Sequence, residues 1–136
     1  MNVAFDIHGT LDDDADGLLK GILEGFLMPS SDDVNVFIIS GPPEEQIKRE
    51  LKALGIDYSN ITIISVVDFL RSKNTHMWQD EKGTWWCDDS IWWASKGMIC
   101  KEYKINMLFD DLIQYKKYMP EETKFVLWQG YEGSKQ

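Results

Sequence analysis

Residues 3–11, VAFDIHGTL, decide the fold expected for this chain of 136 residues. The apolar residues at the start of the stretch lead into the carboxylate of Asp6, a pattern typical of a buried strand that ends at the edge of a sheet. Gly9 and Thr10 then predict a turn with backbone N–H groups beside that carboxylate. A carboxylate in this position is suited to phosphate chemistry.

Strand-like and helix-like segments alternate through the rest of the chain. This alternation is typical of an α/β fold with a mainly parallel sheet. The length, with 43% hydrophobic residues, suits one domain over residues 1–136. The predicted strands are Met1–Asp6, Val34–Ile39, Ile61–Val67, Ile105–Phe109 and Lys124–Trp128, and the predicted helices are Gly17–Met28, Glu44–Leu54 and Ile91–Tyr103.

The charge balance is acidic, with 14 basic and 23 acidic residues and a formal net charge of −9. Because duplex binding needs a basic footprint, we expect no long nucleic acid as a partner, although a local basic patch could bind a strand end. The sequence shows no basic leader and no apolar window of membrane-spanning length, so no membrane partner is expected. Cys87 and Cys100 have neither metal-site nor disulfide spacing, which predicts free thiols in a cytoplasmic protein.

Residues 74–92 break the alternation and predict a β-hairpin. Met77-Trp78-Gln79 and Thr84-Trp85-Trp86 flank the turn-forming stretch Asp80–Gly83. The tryptophans of the hairpin, and the two that follow it, admit two interpretations. They form a satellite core over the sheet edge, or they line a substrate pocket, since aromatic faces hold bases or sugars.

Polar residues also follow the later predicted strands. Ser40 and Gly41 come directly after Val34–Ile39, where a hydroxyl and a helix-starting N–H are ready donors to a phosphoryl oxygen. Asp110 and Asp111 come after the fourth strand, and two adjacent carboxylates there are costly unless they bind a cation. Mg²⁺ fits such a site because it prefers oxygen ligands in octahedral geometry.

Residues 6–11 resemble the first motif of the haloacid dehalogenase (HAD) superfamily of phosphohydrolases, usually written Asp-x-Asp-Gly-Thr-Leu, with His8 in place of the second Asp. The polar residues at the later strand ends follow in the order that this superfamily uses. The resemblance implies a HAD-like Rossmannoid three-layer sandwich with a mainly parallel five-stranded sheet. Residues 74–92 would then form a very small cap.

The resemblance also implies which residues handle the phosphate. Asp6 would attack phosphorus and form an aspartyl-phosphate, which divides one hard hydrolysis into two easier steps. Thr10, Ser40 and Gly41 would bind the phosphate. A basic residue ahead of the fourth strand would offset the negative charge, and Lys96 is the best candidate for it.

The metal ligands implied by the resemblance are Asp6, one carboxylate of the Asp110-Asp111 pair, and the backbone carbonyl of His8. Replacing the second Asp of the motif by His8 therefore leaves the metal site intact. The remaining alternatives for the basic residue are Lys101 and Lys104, which the helical pattern places on a solvated face.

The side chain of His8 stands where the superfamily has its general acid and base. Three interpretations follow: His8 is a working replacement, since imidazole can donate and accept protons near neutral pH; it stops turnover; or it suits a different leaving group. The first interpretation predicts catalytic roles for Asp6 and His8. The second predicts a protein that binds a phosphorylated ligand.

The resulting prediction is a Mg²⁺-dependent phosphatase for a phosphorylated small molecule, a nucleotide or a nucleic-acid end, acting alone or as a homo-oligomer. The alternative is a HAD-fold binding or regulatory protein without turnover. A nucleic-acid end is included because Asp88–Trp92, with Lys96 and the later acidic pair, is similar to polynucleotide 3′-phosphatase domains. A CheY-like response regulator is disfavoured, because its acidic pair follows the first strand.

Overall fold

The structure is a computed structural model that describes residues 1–29 and 33–129. Within these ranges, strands and helices alternate along the chain, as the sequence predicts. The strands are β1 (Asn2–Phe5), β2 (Asn35–Ser40), β3 (Ile61–Ser65), β4 (Trp78–Gln79), β5 (Trp85–Trp86), β6 (Met107–Asp110) and β7 (Lys124–Leu127); the helices are α1 (Leu18–Phe26), α2 (Glu44–Ala53), α3 (Val66–Ser72) and α4 (Asp89–Glu102), with a 3₁₀ helix at Ile113–Tyr118.

Five of these strands form one parallel sheet in the order β3–β2–β1–β6–β7. The prediction of an α/β fold with a mainly parallel five-stranded sheet is confirmed, and the architecture is compatible with a Rossmann-like sandwich. Counted within this sheet alone, the strand order is 3-2-1-4-5. The response-regulator fold has the order 2-1-3-4-5, so the CheY-like alternative is excluded.

Helices cover both faces of the sheet, and side chains of successive strand residues pack into opposite layers. Val3 and Phe5 of β1 pack with Leu19 of α1 and Leu51 of α2. Ala4, between them in sequence, packs on the other face among residues of α3 and α4. Because both faces are covered, the central strands are apolar apart from polar residues at their ends, as expected for a parallel sheet. None of the helices in the described ranges has the length and apolar composition that a membrane span requires.

The third strand is shorter than predicted, because a helix replaces its end. The sequence predicts a strand through Val67, but β3 ends at Ser65, whose hydroxyl accepts a hydrogen bond from the N–H of Asp68 at 3.0 Å. This N-cap starts α3 at Val66. Its first two residues are β-branched valines with a low helix propensity, so propensity alone does not predict the helix. Helix α3 is therefore an element that the sequence analysis missed.

The hairpin within residues 74–92 has the predicted form. β4 and β5 are antiparallel, with Trp78 opposite Trp86 and Gln79 opposite Trp85. The side chain of Asp80 closes the turn, since its Oδ1 accepts hydrogen bonds from two backbone N–H groups of the loop. The hairpin adds no strand to the main sheet.

We expect the packing of α4 to be sensitive at Gly97. A Cβ at this position would overlap the backbone carbonyl of Tyr118, so Gly97→Ala should destabilise the protein by about 1–3 kcal/mol. Gly21→Ala is a matched control, because nothing lies within 4 Å of a Cβ at that helical position. It should stabilise by about 0.5–1 kcal/mol, since alanine has the higher helix propensity. Urea denaturation would measure both changes, and equal effects would contradict the packing account.

Candidate active site

The carboxyl ends of three neighbouring strands bring the predicted polar residues to one edge of the sheet. Asp6 follows β1, and its N–H donates to the carbonyl of Phe109 at 2.9 Å, which continues the ladder between β1 and β6. Asp110 is the last residue of β6, and Ser40 is the last residue of β2 on the other side of β1. In open α/β sheets this edge is the usual place for a ligand.

Lys96 of α4 joins two of the acidic residues. Its Nζ lies 3.0 Å from Oδ1 of Asp6 and 2.5 Å from Oδ2 of Asp110. All three residues are buried, and the ammonium also lies over the ring of Tyr115, 4.6 Å from the ring centroid. The lysine expected from the resemblance is therefore in contact with the expected nucleophile. Lys101 and Lys104 are exposed, and neither contributes to the site.

The charges of this cluster do not balance. Burial raises the pKa values of Asp6 and Asp110 above the ordinary carboxyl range, although Lys96 opposes the shift. Burial also disfavours the ammonium of Lys96, but the two carboxylates raise its pKa above the usual value, so the lysine stays charged. The single ammonium of Lys96 thus faces at least two acidic side chains within the buried cluster.

A third carboxylate, that of Asp111, completes the cluster. Carboxylate oxygens of Asp6, Asp110 and Asp111 lie within 4.8 Å of one another, a spacing that could hold a metal ion. Thr10 is buried between two of these acids, with its hydroxyl 3.2 Å from Oδ2 of Asp6 and 3.4 Å from Oδ1 of Asp111. Three oxygen donors with one lysine fit a divalent cation such as Mg²⁺, although the donor set is not specific to magnesium.

The turn at Ile7–Leu11 brings its backbone close to the third carboxylate. Gly9 has a φ of 76°, in the left-handed region, and a Cβ there would overlap the carboxylate of Asp111. Glycine is therefore required both for the conformation and for the space. The N–H of Gly9 donates to Oδ1 of Asp12 at 2.6 Å, so this N–H of the predicted turn is used inside the chain.

Ser40 carries a hydroxyl without a partner among the described residues, at the end of β2. Its side chain is fully buried, and its hydroxyl has no hydrogen-bond partner within residues 1–29 and 33–129. An unsatisfied buried polar group costs about 1–3 kcal/mol, so its position at the end of β2 indicates a group that the isolated chain lacks. The next residue, Gly41, lies against the indole of Trp92, which would crowd any side chain at that position.

The side chain of His8 contacts helix α2 through Glu50, a residue that the sequence analysis did not identify. Its Nε2 lies 2.6 Å from Oε2 of Glu50, and the imidazole is about half exposed. The other carboxylate oxygen of Glu50 is buried and has no hydrogen-bond partner among the described residues. Glu50 lies beside the fully buried Leu51 of an amphipathic helix, and that helical position is the only sequence signal that could have identified it.

The predicted residues thus fall into three groups. Asp6, Thr10, Lys96, Asp110 and Asp111 form one buried cluster; Ser40 and Gly41 lie at the end of the adjacent strand; the imidazole of His8 contacts α2. Comparisons with protein-family models, curated proteins and solved structures found no match for this chain. The functional argument therefore depends on the geometry of the site.

We expect Mg²⁺ to stabilise the folded protein and to do so less at low pH. Free Mg²⁺ at about 100 times its Kd should add about 2.7 kcal/mol to the free energy of unfolding. Because the pKa values of Asp6 and Asp110 are raised, the folded state binds more protons than the unfolded chain, and those protons compete with the cation. The gain should therefore shrink as the pH is lowered.

Thermal and urea unfolding, with and without Mg²⁺, would measure this stabilisation. Asp111→Asn should abolish it, because the variant removes one of the three clustered carboxylates. Asp57→Asn is the control, since it makes the same chemical change at an exposed carboxylate in the loop before β3. Equal stabilisation of both variants would show that the ion binds elsewhere.

Proposed function

We propose that the protein is a HAD-like, Mg²⁺-dependent phosphatase that hydrolyses a phosphate monoester through an aspartyl-phosphate on Asp6. The observation that carries the proposal is the buried contact of Asp6 with Lys96, beside two further carboxylates. The unpartnered hydroxyl of Ser40 at the adjacent strand end supports it, because a phosphoryl oxygen would accept its hydrogen bond. The proposal includes a HAD-like Rossmannoid sandwich with residues 74–92 as a very small cap.

The acidic cluster fits the cation that the proposal requires. Asp6, Asp111 and the backbone carbonyl of His8 would hold Mg²⁺, with Asp110 retained by Lys96 beside them. When bound, the ion would neutralise charge on the phosphoryl oxygens and allow a carboxylate to approach them. The protein residues carry out the remaining chemistry.

The first step transfers the phosphoryl group to Asp6. An oxygen of its carboxylate attacks phosphorus, the bond from phosphorus to the leaving oxygen breaks, and that oxygen takes a proton from the imidazolium of His8. Lys96 holds the nucleophile in place and offsets the charge on the phosphoryl oxygens. Ser40 donates to one of those oxygens. The alcohol leaves, and the aspartyl-phosphate remains.

The second step hydrolyses that intermediate. Neutral His8 takes a proton from water as the water oxygen attacks phosphorus, and the bond from phosphorus to Asp6 breaks. Inorganic phosphate leaves with the carboxylate and the imidazolium restored. The contact of His8 with Glu50 at 2.6 Å would orient the ring through both steps.

The alternative is a protein that binds a phosphorylated ligand without turnover. The observation that favours it is the side-chain contact of His8 with α2, where the superfamily motif has a second aspartate. His8→Asp distinguishes the two proposals. A gain of phosphatase activity from an inactive natural protein would support the binding protein, and a loss of activity would support the phosphatase.

We expect Mg²⁺-dependent release of phosphate from 4-nitrophenyl phosphate, and we expect Asp6→Asn to abolish it. The asparagine keeps the size of the side chain but removes the nucleophilic oxygen. Mass spectrometry of enzyme quenched in acid during turnover, with the added mass of a phosphoryl group mapped to Asp6, would locate the covalent step. Activity that persists in Asp6→Asn would rule out the aspartyl-phosphate mechanism.

Loss of the imidazole should slow the two steps to different extents. How far the first step slows should depend on whether the leaving group needs a proton. His8→Gln should show a burst of nitrophenolate followed by slow turnover, because this good leaving group needs no proton while the water still needs a base. An alkyl phosphate should show no burst and a loss of about 10²–10⁴ in rate.

Glu50→Gln should cause a smaller loss in the same direction, since it removes the charge that faces His8. Glu45→Gln, on the exposed face of the same helix, is the matched control. Identical kinetics for Glu50→Gln and Glu45→Gln would remove Glu50 from the mechanism.

A further inference from the structure

A cavity of about 640 Å³ adjoins the proposed active site. It lies between the hairpin and the start of α4 on one side and the turn after β2 on the other. His8 and Gly41 belong both to its wall and to the strand-end site described above. A substrate whose phosphate reaches Ser40 therefore has this cavity available for the rest of the molecule, and the volume is in the range of about 300–1,000 Å³ typical of ligand sites.

Four tryptophans contribute to the wall of the cavity, and contacts hold three of their rings in position. Trp85 stacks under the guanidinium of Arg71, 4.4 Å from the ring centroid. The Nε1 of Trp86 donates to Oδ2 of Asp80 at 2.9 Å. Trp92 packs against Gly41, as described above. Rings held in this way offer flat surfaces without a large loss of side-chain entropy when a ligand binds.

Only a minority of the side chains on the cavity wall carry polar groups apart from the indole N–H. These are His8, Gln46, Lys82, Thr84 and Asp89. A carbohydrate ring presents a hydroxyl on nearly every carbon and needs a partner for each. A planar aromatic group needs only faces on which to stack and a few polar contacts at its edge.

We propose that this cavity binds the base of a nucleoside monophosphate, an inference that rests on the proposed phosphatase function because it names the substrate class of the same site. The phosphate lies at Ser40 and Lys96, and the base stacks on indole rings of the hairpin and α4. The same chemistry occurs at the phosphorylated end of a nucleic acid. The mononucleotide is favoured because, among the described residues, Lys82 is the one lysine or arginine on the wall of the cavity, and a polynucleotide backbone needs several basic residues.

The hairpin provides a matched pair of variants. Trp86 and Trp78 face each other across its two strands, and they are 50% and 47% exposed. Trp86 lines the cavity, whereas Trp78 does not. Trp86→Ala and Trp78→Ala therefore remove similar side chains from the same small element, and only the first removes a stacking surface from the cavity.

The experiment measures equilibrium binding by isothermal titration in the Asp6→Asn background, so that no ligand is hydrolysed. The ligands are adenosine and uridine 5′-monophosphates, ribose 5-phosphate and a short oligonucleotide with a terminal phosphate. Both mononucleotides should bind more tightly than ribose 5-phosphate. Trp86→Ala should weaken mononucleotide binding by about 5- to 150-fold, the equivalent of about 1–3 kcal/mol per stacked base, and leave ribose 5-phosphate unchanged. Trp78→Ala should change neither.

Three outcomes would overturn the proposal, and a fourth would overturn only the phosphatase function on which it rests. Equal affinity for mononucleotides and ribose 5-phosphate would remove the base site but leave the phosphatase proposal intact. Equal losses in Trp86→Ala and Trp78→Ala would show that the hairpin acts only structurally. Much tighter, strongly salt-dependent binding of the oligonucleotide would replace the mononucleotide by a nucleic-acid end. Base-dependent binding by a natural protein that releases no phosphate would refute the phosphatase while retaining the base site.

Discussion

An ammonium group with almost no access to water holds carboxylates from two adjacent strands at one point. Lys96 is 2% exposed, and its Nζ contacts both Asp6 and Asp110. Removing one partner of such a buried pair leaves an uncompensated charge and costs about 3–5 kcal/mol. The contact therefore holds α4 against the sheet edge. It also holds the proposed nucleophile in one orientation.

The geometry of the surrounding segments follows from that contact. Helix α4 lies close enough to the sheet edge for Lys96 to contact both Asp6 and Asp110. Gly97 lets the 3₁₀ helix approach α4, because the backbone of Tyr118 occupies the space of a side chain. Tyr115, three residues earlier, places its ring beneath the ammonium and excludes water from it. The acidic excess that remains makes the same point attractive to a cation. The contacts of Lys96 thus determine how α4 packs, which charges face each other in the site and how Asp6 is oriented.

The sequence predicts the sheet and most of the site because both depend on local patterns. Asp6, Ser40 and Asp110 each end an apolar run, and parallel strands necessarily bring such ends to one edge. The sequence does not predict what depends on the relative placement of helices. Glu50 is one of several acidic residues on α2, and nothing local distinguishes the one that meets His8.

Helix α3 escaped prediction for a related reason. Its first residues are valines that continue the pattern of β3, and the change of structure depends on one hydroxyl, that of Ser65. Local patterns also do not predict the order of the strands, since the same alternation of strands and helices is compatible with the order 2-1-3-4-5. Tyr115 was missed because its contact with Lys96 depends on how the 3₁₀ helix packs against α4.

The hairpin has a consequence for how this protein can change over evolutionary time. It shares no backbone ladder with the five-stranded sheet, and the stack of Trp85 on Arg71 links it to α3. None of residues 78–86 belongs to the buried charge cluster or to either apolar layer, so replacements there leave both undisturbed. Under the proposals made above, part of the surface that selects the substrate therefore lies in a stretch that carries none of the chemistry. Natural selection can therefore change the substrate while the catalysed reaction is retained.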